Sequence, residues 1–421
     1  MRYAALFPGQ GAQYVGMGEE LYKKHSIARE IFDEASEVLN RDMTKLCFNS
    51  TETDLKRTDN AQVGILTVSV ASFYVFMKQY GIQPLMCAGH SLGEYSALVC
   101  SEALTFSEAL TLVSHRGKFM HEASLQKQGV MVSISHTDQA TIENYCKEFS
   151  RGNLIAEISC INSSNQVVVS CNKEVVSLFV EKVGGHATVL DVGGAFHSPL
   201  MLHAAKLFKK ELVKTKFKCP IFPVISNVFG KPYAYDRDHV EILSRQILEP
   251  VDWLNTMKFI EGENVKYTID FGPKTIVGNL IQRNYPLLTG LSVNSEKDMH
   301  LFQKELKEVD KERIKLLKLC CKIAVSTKNY TCNDRHSYQE YVLRPYQSIC
   351  NTINLAENNE ISLRDEQVIE AIQMLLQVFK MKGIGNEEVR NRLDSILREI
   401  NFNHTCYHIF IINQLMKEIN T

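Results

Sequence analysis

No charge of one sign dominates this sequence: 47 lysines and arginines face 48 aspartates and glutamates, for a formal net charge of -1. Such a balance gives no bulk attraction for nucleic acid or for an anionic membrane, so neither is expected as a partner. A run of about 18 consecutive apolar residues is missing too, which leaves no membrane-spanning segment to expect. At the N-terminus only YAALF, residues 3 to 7, precedes Pro8, too short an apolar run for a signal peptide. The 12 cysteines contain no C-x-x-C pair, and Cys320 and Cys321 are adjacent. That pattern excludes a zinc or disulfide framework and predicts reduced thiols, no bound metal and a cytoplasmic chain. Neither G-x-G-x-x-G nor G-K-[ST] occurs, so a nucleotide-binding redox or kinase site has no support.

What remains is an ordinary globular composition, 45% apolar and 23% charged over 421 residues, long enough for two or three domains. YAALF reads as a short buried strand. Residues 61 to 79 carry apolar positions at helical spacing. PLMCA (84 to 88) reads as a strand that enters the turn GHSLG, followed by helices over 92–100 and 103–124. After Gly129 the pattern becomes strand (VMVSIS), helix (137–149), strand (155–160), strand (166–171), helix (173–184) and strand (ATVLDV, 187–192). That β-α-β-β-α-β order has the size of a ferredoxin-like unit, set inside a larger α/β domain. IFPVISNV (221–228) and YTIDFG (267–272) read as further buried strands. Near 290 to 300 the composition turns helical and charged, with helices predicted over 301–325, 369–383 and 389–400 around a polar stretch at 329–341. This mostly helical extension, 291–421, shows no catalytic motif. It serves either to stabilise the catalytic domain or to dock a partner.

The chemistry gathers at Gly89-His90-Ser91-Leu92-Gly93, a G-x-S-x-G string between a predicted strand and a predicted helix. In a nucleophile elbow glycines flank the serine because side chains would clash where the strand turns. A tight turn with a helix-capping serine satisfies the same string. A serine nucleophile needs a base. Among 13 histidines, His197 in GGAFHSPLM follows two glycines and precedes a proline-bounded helix start, where a side chain can project; a surface histidine fits that place equally. His90 points away from the reaction face of its neighbour. No acidic residue has the local context of a third triad member, and a main-chain carbonyl is an alternative orienting group. The Leu92 N–H is one candidate oxyanion donor, and the glycine-rich loop FPGQGAQ, with Gln10, is a candidate source of the second. Arg116 is either a solvated surface group or a two-pronged partner for a carboxylate.

Eight blocks together resemble the malonyl-CoA:acyl carrier protein transacylase family. They are FPGQGAQYVGMG (7–18), NAQ (60–62), AGHSLGEYSAL (88–98), RGKFM (116–120), GAFHSPLM (194–201), PVISNV (223–228), PVDW (250–253) and DFGPKTIVGNLI (270–281). The resemblance implies an α/β-hydrolase-like catalytic domain over 1–128 and 195–290 with a ferredoxin-like subdomain inserted over 129–194. It implies Ser91 as nucleophile, His197 as base, and the main-chain donors of Gln10 and Leu92 as oxyanion hole. Arg116 would hold the malonyl carboxylate, with Gln62 and Asn162 lining the site. Gln246 would orient the histidine through its carbonyl, and Phe196 would favour malonyl over methylmalonyl. Malonyl-CoA is the implied substrate and the phosphopantetheine thiol of a carrier protein the implied acceptor, with no cofactor bound.

The sequence departs from the family at Ala12, where a serine is usual, at Ser170-Cys171, where a small residue and glycine are usual, and at FGPK, one glycine short of the usual GPGK spacing. The extension is the larger departure. It resembles a discrete acyltransferase serving modular polyketide synthases, whose carrier domains would then be the partners. A proofreading thioesterase, an acyl hydrolase on the same fold, is the alternative; it would have no need of Arg116.

Overall fold

The computed structural model describes residues 2–126, 129–234, 239–331, 335–358, 360–361 and 363–399. Eleven strands are present among them: β1 (Tyr3–Phe7), β2 (Met86–Gly89), β3 (Gly129–Ser135), β4 (Ala156–Ser163), β5 (Gln166–Asn172), β6 (Ala187–Val189), β7 (Val224–Ser226), β8 (Lys231–Pro232), β9 (Val251–Asp252), β10 (Tyr267–Asp270) and β11 (Thr289–Ser292). The described residues divide into two compact units, one of residues 2–79 and 83–299, the other of 80–82 and residues from 300 to 399.

The larger unit is built on a six-stranded sheet of order β11-β10-β1-β2-β7-β8, parallel except for the last pair. β1 lies between β10 and β2 and every one of its residues is buried, which is why YAALF carries no alternation. The helix Thr58–Tyr80 lies in this core and is apolar on nearly every side. By length and composition it is apolar enough to cross a membrane, although it contains no run of 18 consecutive apolar residues. The reason for its composition is burial: 89% of its apolar window is enclosed by the protein itself. Phe7, Phe73 and Phe271 pack there with ring centroids 5.2–6.0 Å apart, each pair contributing about 0.5–1.5 kcal/mol beyond area burial.

A second sheet has the order β6-β3-β5-β4-β9. Its first four strands come from residues 129–189 and pair antiparallel, backed by helices Gln139–Phe149 and Val176–Val183. Val132, Ile134, Val167 and Val169 form its core with Phe149 and Phe179, whose rings meet edge to face at 4.9 Å. The fifth strand is new: Val251–Asp252, far along the chain, pairs in parallel with Cys160 and Ile161.

Several predicted elements change on folding. ATVLDV forms a strand only over Ala187–Val189, because β6 is an edge strand with a single partner and half-exposed Val189. IFPVISNV narrows to Val224–Ser226: Pro223 has no N–H to give to a ladder, and the Ile221 N–H bonds to Ser101 instead. Helix 103–124 begins only at Phe106.

The smaller unit is helical. Leu316, Leu317, Ile353, Leu375 and Phe379 are among its core residues. Two long cations are spent on main-chain carbonyls there: Arg313 on Leu363, and Lys382 on Ala324 and Thr327 at 2.9 and 2.8 Å. A helix that the composition hid runs over Arg344–Glu357; it continues without a break from a π-helical segment over Gln339–Leu343, the kind of local irregularity that accommodates Pro345. The polar stretch at 329–341 is partly helical from Arg335 onward, and its residues 332–334 lie outside the described residues. So do residue 400 of the predicted last helix and residues 401–421 of the extension.

Candidate active site

The parallel pairing of the large sheet brings three loops to one edge. Phe7 is in register with Gly89, and Ala88 with Ile225, so the chain leaves β1, β2 and β7 side by side at their carboxyl ends. Ligands in open α/β sheets gather there. Ser91 sits at the β2 exit, just before the elbow helix Gly93–Cys100, in a left-handed conformation with φ 53°. The two flanking glycines are sterically required. A Cβ at Gly89 would stand 1.9 Å from the Gly93 carbonyl carbon, and one at Gly93 would stand 2.1 Å from the Phe7 oxygen. Asn227, just beyond β7, clamps the turn: its Oδ1 accepts the Ser91 N–H and its Nδ2 donates to Gly89 O, both at 2.6 Å.

His197 approaches from the loop after β6, also left-handed at φ 54°. Its Nε2 lies 2.7 Å from Ser91 Oγ and its Nδ1 lies 2.6 Å from the Gln246 main-chain oxygen. A carbonyl only accepts, so Nδ1 carries the proton and Nε2 presents its lone pair to the serine hydroxyl. Burial, helped by the Arg116 charge, pushes the imidazole pKa down to about 3, so the ring is neutral across the physiological range. The residue before it, Phe196, is buried, and its carbonyl accepts the Ser170 hydroxyl. One departure from the family pattern thus braces the histidine segment.

Arg116 is fully buried on the helix Phe106–Gln126. Gly117 beside it lets that helix press on the start of Thr58–Tyr80; a Cβ there would stand 2.8 Å from Asp59 Cα. The contact brings Arg116 Nη1 to Gln62 Oε1 at 2.8 Å. Nη2 donates to Ser91 Oγ and to Gln246 Oε1, both at 3.1 Å. The guanidinium also lies over the Tyr95 ring at 5.5 Å. Burial lowers its pKa, yet an arginine starts so high that it stays charged. A buried cation whose hydrogen-bond acceptors are all neutral, and which points at a nucleophile, is a place for an anion.

The other predicted site residues fall as follows. Leu92 is buried at the elbow, and half-buried Gln10 occupies the loop after β1 with its side chain 3.4 Å from Thr58 Oγ1. That loop lies against the elbow: a Cβ at Gly9 would stand 2.7 Å from His90 O. Asn162 bonds His90 Nε2 at 3.0 Å and is not hydrogen-bonded to Ser91, His197 or Arg116. The His90 ring faces Asn162 and Trp253, the latter at 5.5 Å, and takes no part in the serine contact.

Sequence reasoning missed Asn227 and Glu94. Both stand inside quoted blocks, but nothing local assigns them a task. Glu94, wholly buried in the elbow helix, accepts from Tyr233 Oη, from Gln246 Nε2 at 2.7 Å and from the Asn227 N–H at 3.3 Å. Among the described residues no group of three or more His, Cys, Asp or Glu could hold a metal.

Comparison with known proteins gives the chain relatives. Residues 5–269 match the acyl transferase domain family. A malonyl CoA-acyl carrier protein transacylase of Bacillus subtilis is 32% identical over 392 residues, covering 91% of this chain and 98% of the relative. The protein of that name from Escherichia coli K12 is 35% identical over 306 residues, covering 71% of this chain and 97% of its own. Among solved structures, the malonyl CoA-acyl carrier protein transacylase of Clostridium perfringens superposes with a TM-score of 0.69 at 32% identity, over 73% of this chain and 98% of its own. A type II PKS acyl-carrier protein in complex with its malonyl-transacylase gives a TM-score of 0.68 at 35% identity, over 71% of this chain and 97% of that one.

Proposed function

The chain belongs to the malonyl CoA-acyl carrier protein transacylase family, and from that premise we propose how its residues carry the reaction. The enzyme moves a malonyl group from malonyl-CoA to the thiol of an acyl carrier protein through a seryl ester. The observation that supports the residue roles is the Arg116 guanidinium, buried and 3.1 Å from the Ser91 oxygen.

In the proposed course, the malonyl carboxylate lies on Arg116, which sets the thioester carbonyl over Ser91 Oγ. His197 Nε2 takes the hydroxyl proton as Oγ attacks, and the oxyanion is met by the Gln10 and Leu92 N–H groups. The intermediate collapses, the carbon–sulfur bond breaks, and His197 returns the proton to the departing CoA thiolate. The carrier's phosphopantetheine thiol then enters, gives its proton to His197, and attacks the seryl ester. Ser91 leaves as the alkoxide and recovers the proton. Gln246 holds the imidazole in the required tautomer, Gln62 holds Arg116, and Asn162 packs on His90 beside the elbow. A hydrolase clearing plain acyl groups would gain nothing from a buried cation at the nucleophile.

The fold class belongs to the same reading: an α/β-hydrolase-like domain over 1–128 and 195–290, and a ferredoxin-like subdomain over 129–194. The β6-β3-β5-β4 order with its two backing helices supports the latter. The free thiol state of the ten described cysteines suits a cytoplasmic location.

The finer reading is a discrete enzyme whose acceptors are carrier domains of a modular polyketide synthase. It rests on the length of the helical extension; the match to the Bacillus subtilis relative over 91% of this chain must reach into the residues beyond 300, so the extension is shared with another transacylase. The experiment for the reaction is intact-mass measurement after brief exposure to malonyl-CoA alone. The expected result is a malonyl adduct on Ser91 with free CoA, discharged by holo-carrier protein. An unmodified mass under conditions of productive transfer overturns the mechanism. Comparing kcat/KM for excised polyketide carrier domains and for a fatty-acid carrier protein tests the finer reading.

A further inference from the structure

The transfer chemistry leaves one buried ionisable group beneath the site without a task. Glu94 stands in the first turn of the elbow helix, with no exposure. All three of its partners donate: the Tyr233 hydroxyl to Oε1, and Gln246 Nε2–H and the Asn227 N–H to Oε2. The charged or titratable groups around it are few. Tyr233 comes from the segment after β8, Tyr95 from its own helix, and Arg116 from the helix Phe106–Gln126. His197 lies on the far side of Gln246.

We propose that Glu94 is a positioning residue: as a carboxylate it holds the Gln246 amide with Nε2 toward itself and Oε1 toward Arg116, so one amide ties the carboxylate clamp to the catalytic base. This rests on the roles proposed for Arg116 and His197.

The argument is one of hydrogen-bond polarity. An ionised carboxylate can only accept, and a guanidinium can only donate. The Gln246 side chain lies between the two. Its Nε2 gives protons to Glu94 at 2.7 Å and to Ser91 O at 2.9 Å, and its Oε1 takes one from Arg116 at 3.1 Å. Reversing the amide would set donor against donor at Arg116 and acceptor against acceptor at Glu94. Glu94, Gln246 and Arg116 therefore form a buried ion pair with an amide in the middle. The same glutamine's main-chain oxygen takes the His197 Nδ1 proton. A shift of Gln246 would thus disturb the clamp and the base together.

Protonation removes this control. A neutral Glu94 owns a donor, no longer balances Arg116, and leaves the direction of the amide to Arg116 and Ser91 O alone. Burial raises its pKa to about 7, against the pull of its three donors. The ionised form is the competent one, so kcat/KM for malonyl-CoA falls as pH drops through that region. His197, depressed to about 3, changes no proton there.

The test uses the full chain carrying Glu94→Gln, with acylation by malonyl-CoA and by acetyl-CoA followed as kcat/KM across the neutral pH range. The malonyl value should fall about 10–100-fold, as displaced catalytic groups do. Acetyl-CoA needs no clamp and should lose less, so the preference for malonyl narrows and the acid limb near neutrality disappears. A purely structural role would lower both substrates alike and leave the limb in place. Tyr233→Phe is the second variant. It removes one donor from the carboxylate, which raises the Glu94 pKa and should move the limb to higher pH. An unchanged preference and limb in Glu94→Gln, or a stationary limb in Tyr233→Phe, overturns the proposal. If Glu94→Gln does not fold, the limb in Tyr233→Phe decides alone. A wild-type protein with no preference for malonyl-CoA would overturn the transfer reading itself, and this inference with it, before any substitution is made.

Discussion

Ser91 and His197 meet from two left-handed backbone positions, φ 53° and φ 54°, with Oγ and Nε2 2.7 Å apart. Each such conformation costs a non-glycine residue about 1–3 kcal/mol and persists only where the surroundings over-determine it. Asn227 supplies that restraint for Ser91 through two hydrogen bonds, one on each side of the turn. For His197 the restraint comes from the Gln246 carbonyl and from Ser170 on the preceding residue.

The strain at Ser91 has a measurable signature. Ser91→Ala and Ser91→Gly should both abolish the malonyl adduct. Glycine accepts positive φ without a Cβ clash, so Ser91→Gly should be the more stable of the two by about 1 kcal/mol. Equal denaturant midpoints, or an alanine variant more stable than the glycine one, would show that the turn stores no strain.

Arg116 separates a malonyl-specific site from a general acyl site. Arg116→Ala should lower malonyl transfer by about 2–5 kcal/mol in ΔΔG‡, because a desolvated carboxylate is left unpaired. Acetyl transfer should hold or rise. Arg116→Lys keeps the charge but not the fork that also serves Gln62 and Gln246, so its rescue should be partial. The measurement is the ratio of kcat/KM for the two thioesters; a ratio unmoved in the alanine variant removes Arg116 from the clamp.

Phe196 is buried beside the base, and its ring is the element expected to exclude a branched acyl unit. One extra methyl in a packed pocket costs about 1–3 kcal/mol, or roughly 10–200-fold. Phe196→Ser should therefore raise methylmalonyl-CoA relative to malonyl-CoA. Were the phenylalanine ordinary core, the variant would melt earlier with its substrate ratio intact.

Asp270, at the end of β10, is buried and accepts the Gly272 and Gly278 N–H groups at 2.9 and 3.0 Å. Burial raises its pKa from 3.8 to about 6. Between those values the native protein keeps a proton that the unfolded chain has released. Its contribution to stability is therefore full below the lower value and is lost as pH rises through the upper one. Asp270→Asn cannot ionise. The stability advantage of wild type over the variant should shrink by about 2–3 kcal/mol from acid pH to neutrality. A difference that stays constant with pH would mean that the carboxyl does not titrate in this window.

Chain-local physics made the chemistry legible. The elbow is a steric problem within five residues, so Gly89, Ser91 and Gly93 announce it by type and spacing. The strands YAALF and VMVSIS and the long helices could be read because their burial patterns are periodic or continuous. The resemblance then pointed to His197, Arg116 and Gln246 at separations that no periodicity spans. Tertiary structure decided what depends on pairing between distant segments. Glu94 reads in sequence as one more polar residue in a helix; only when β7 lies beside β2 and Gln246 arrives from 152 residues away does it acquire three donors and a buried cation to balance. Asn227 clamps a turn 136 residues distant, and β9 joins a sheet whose other strands all lie earlier in the chain. Local sterics and periodicity act between neighbours and leave a trace in the order of residues. Hydrogen-bond polarity and desolvation act between whatever the fold brings together, and they leave none.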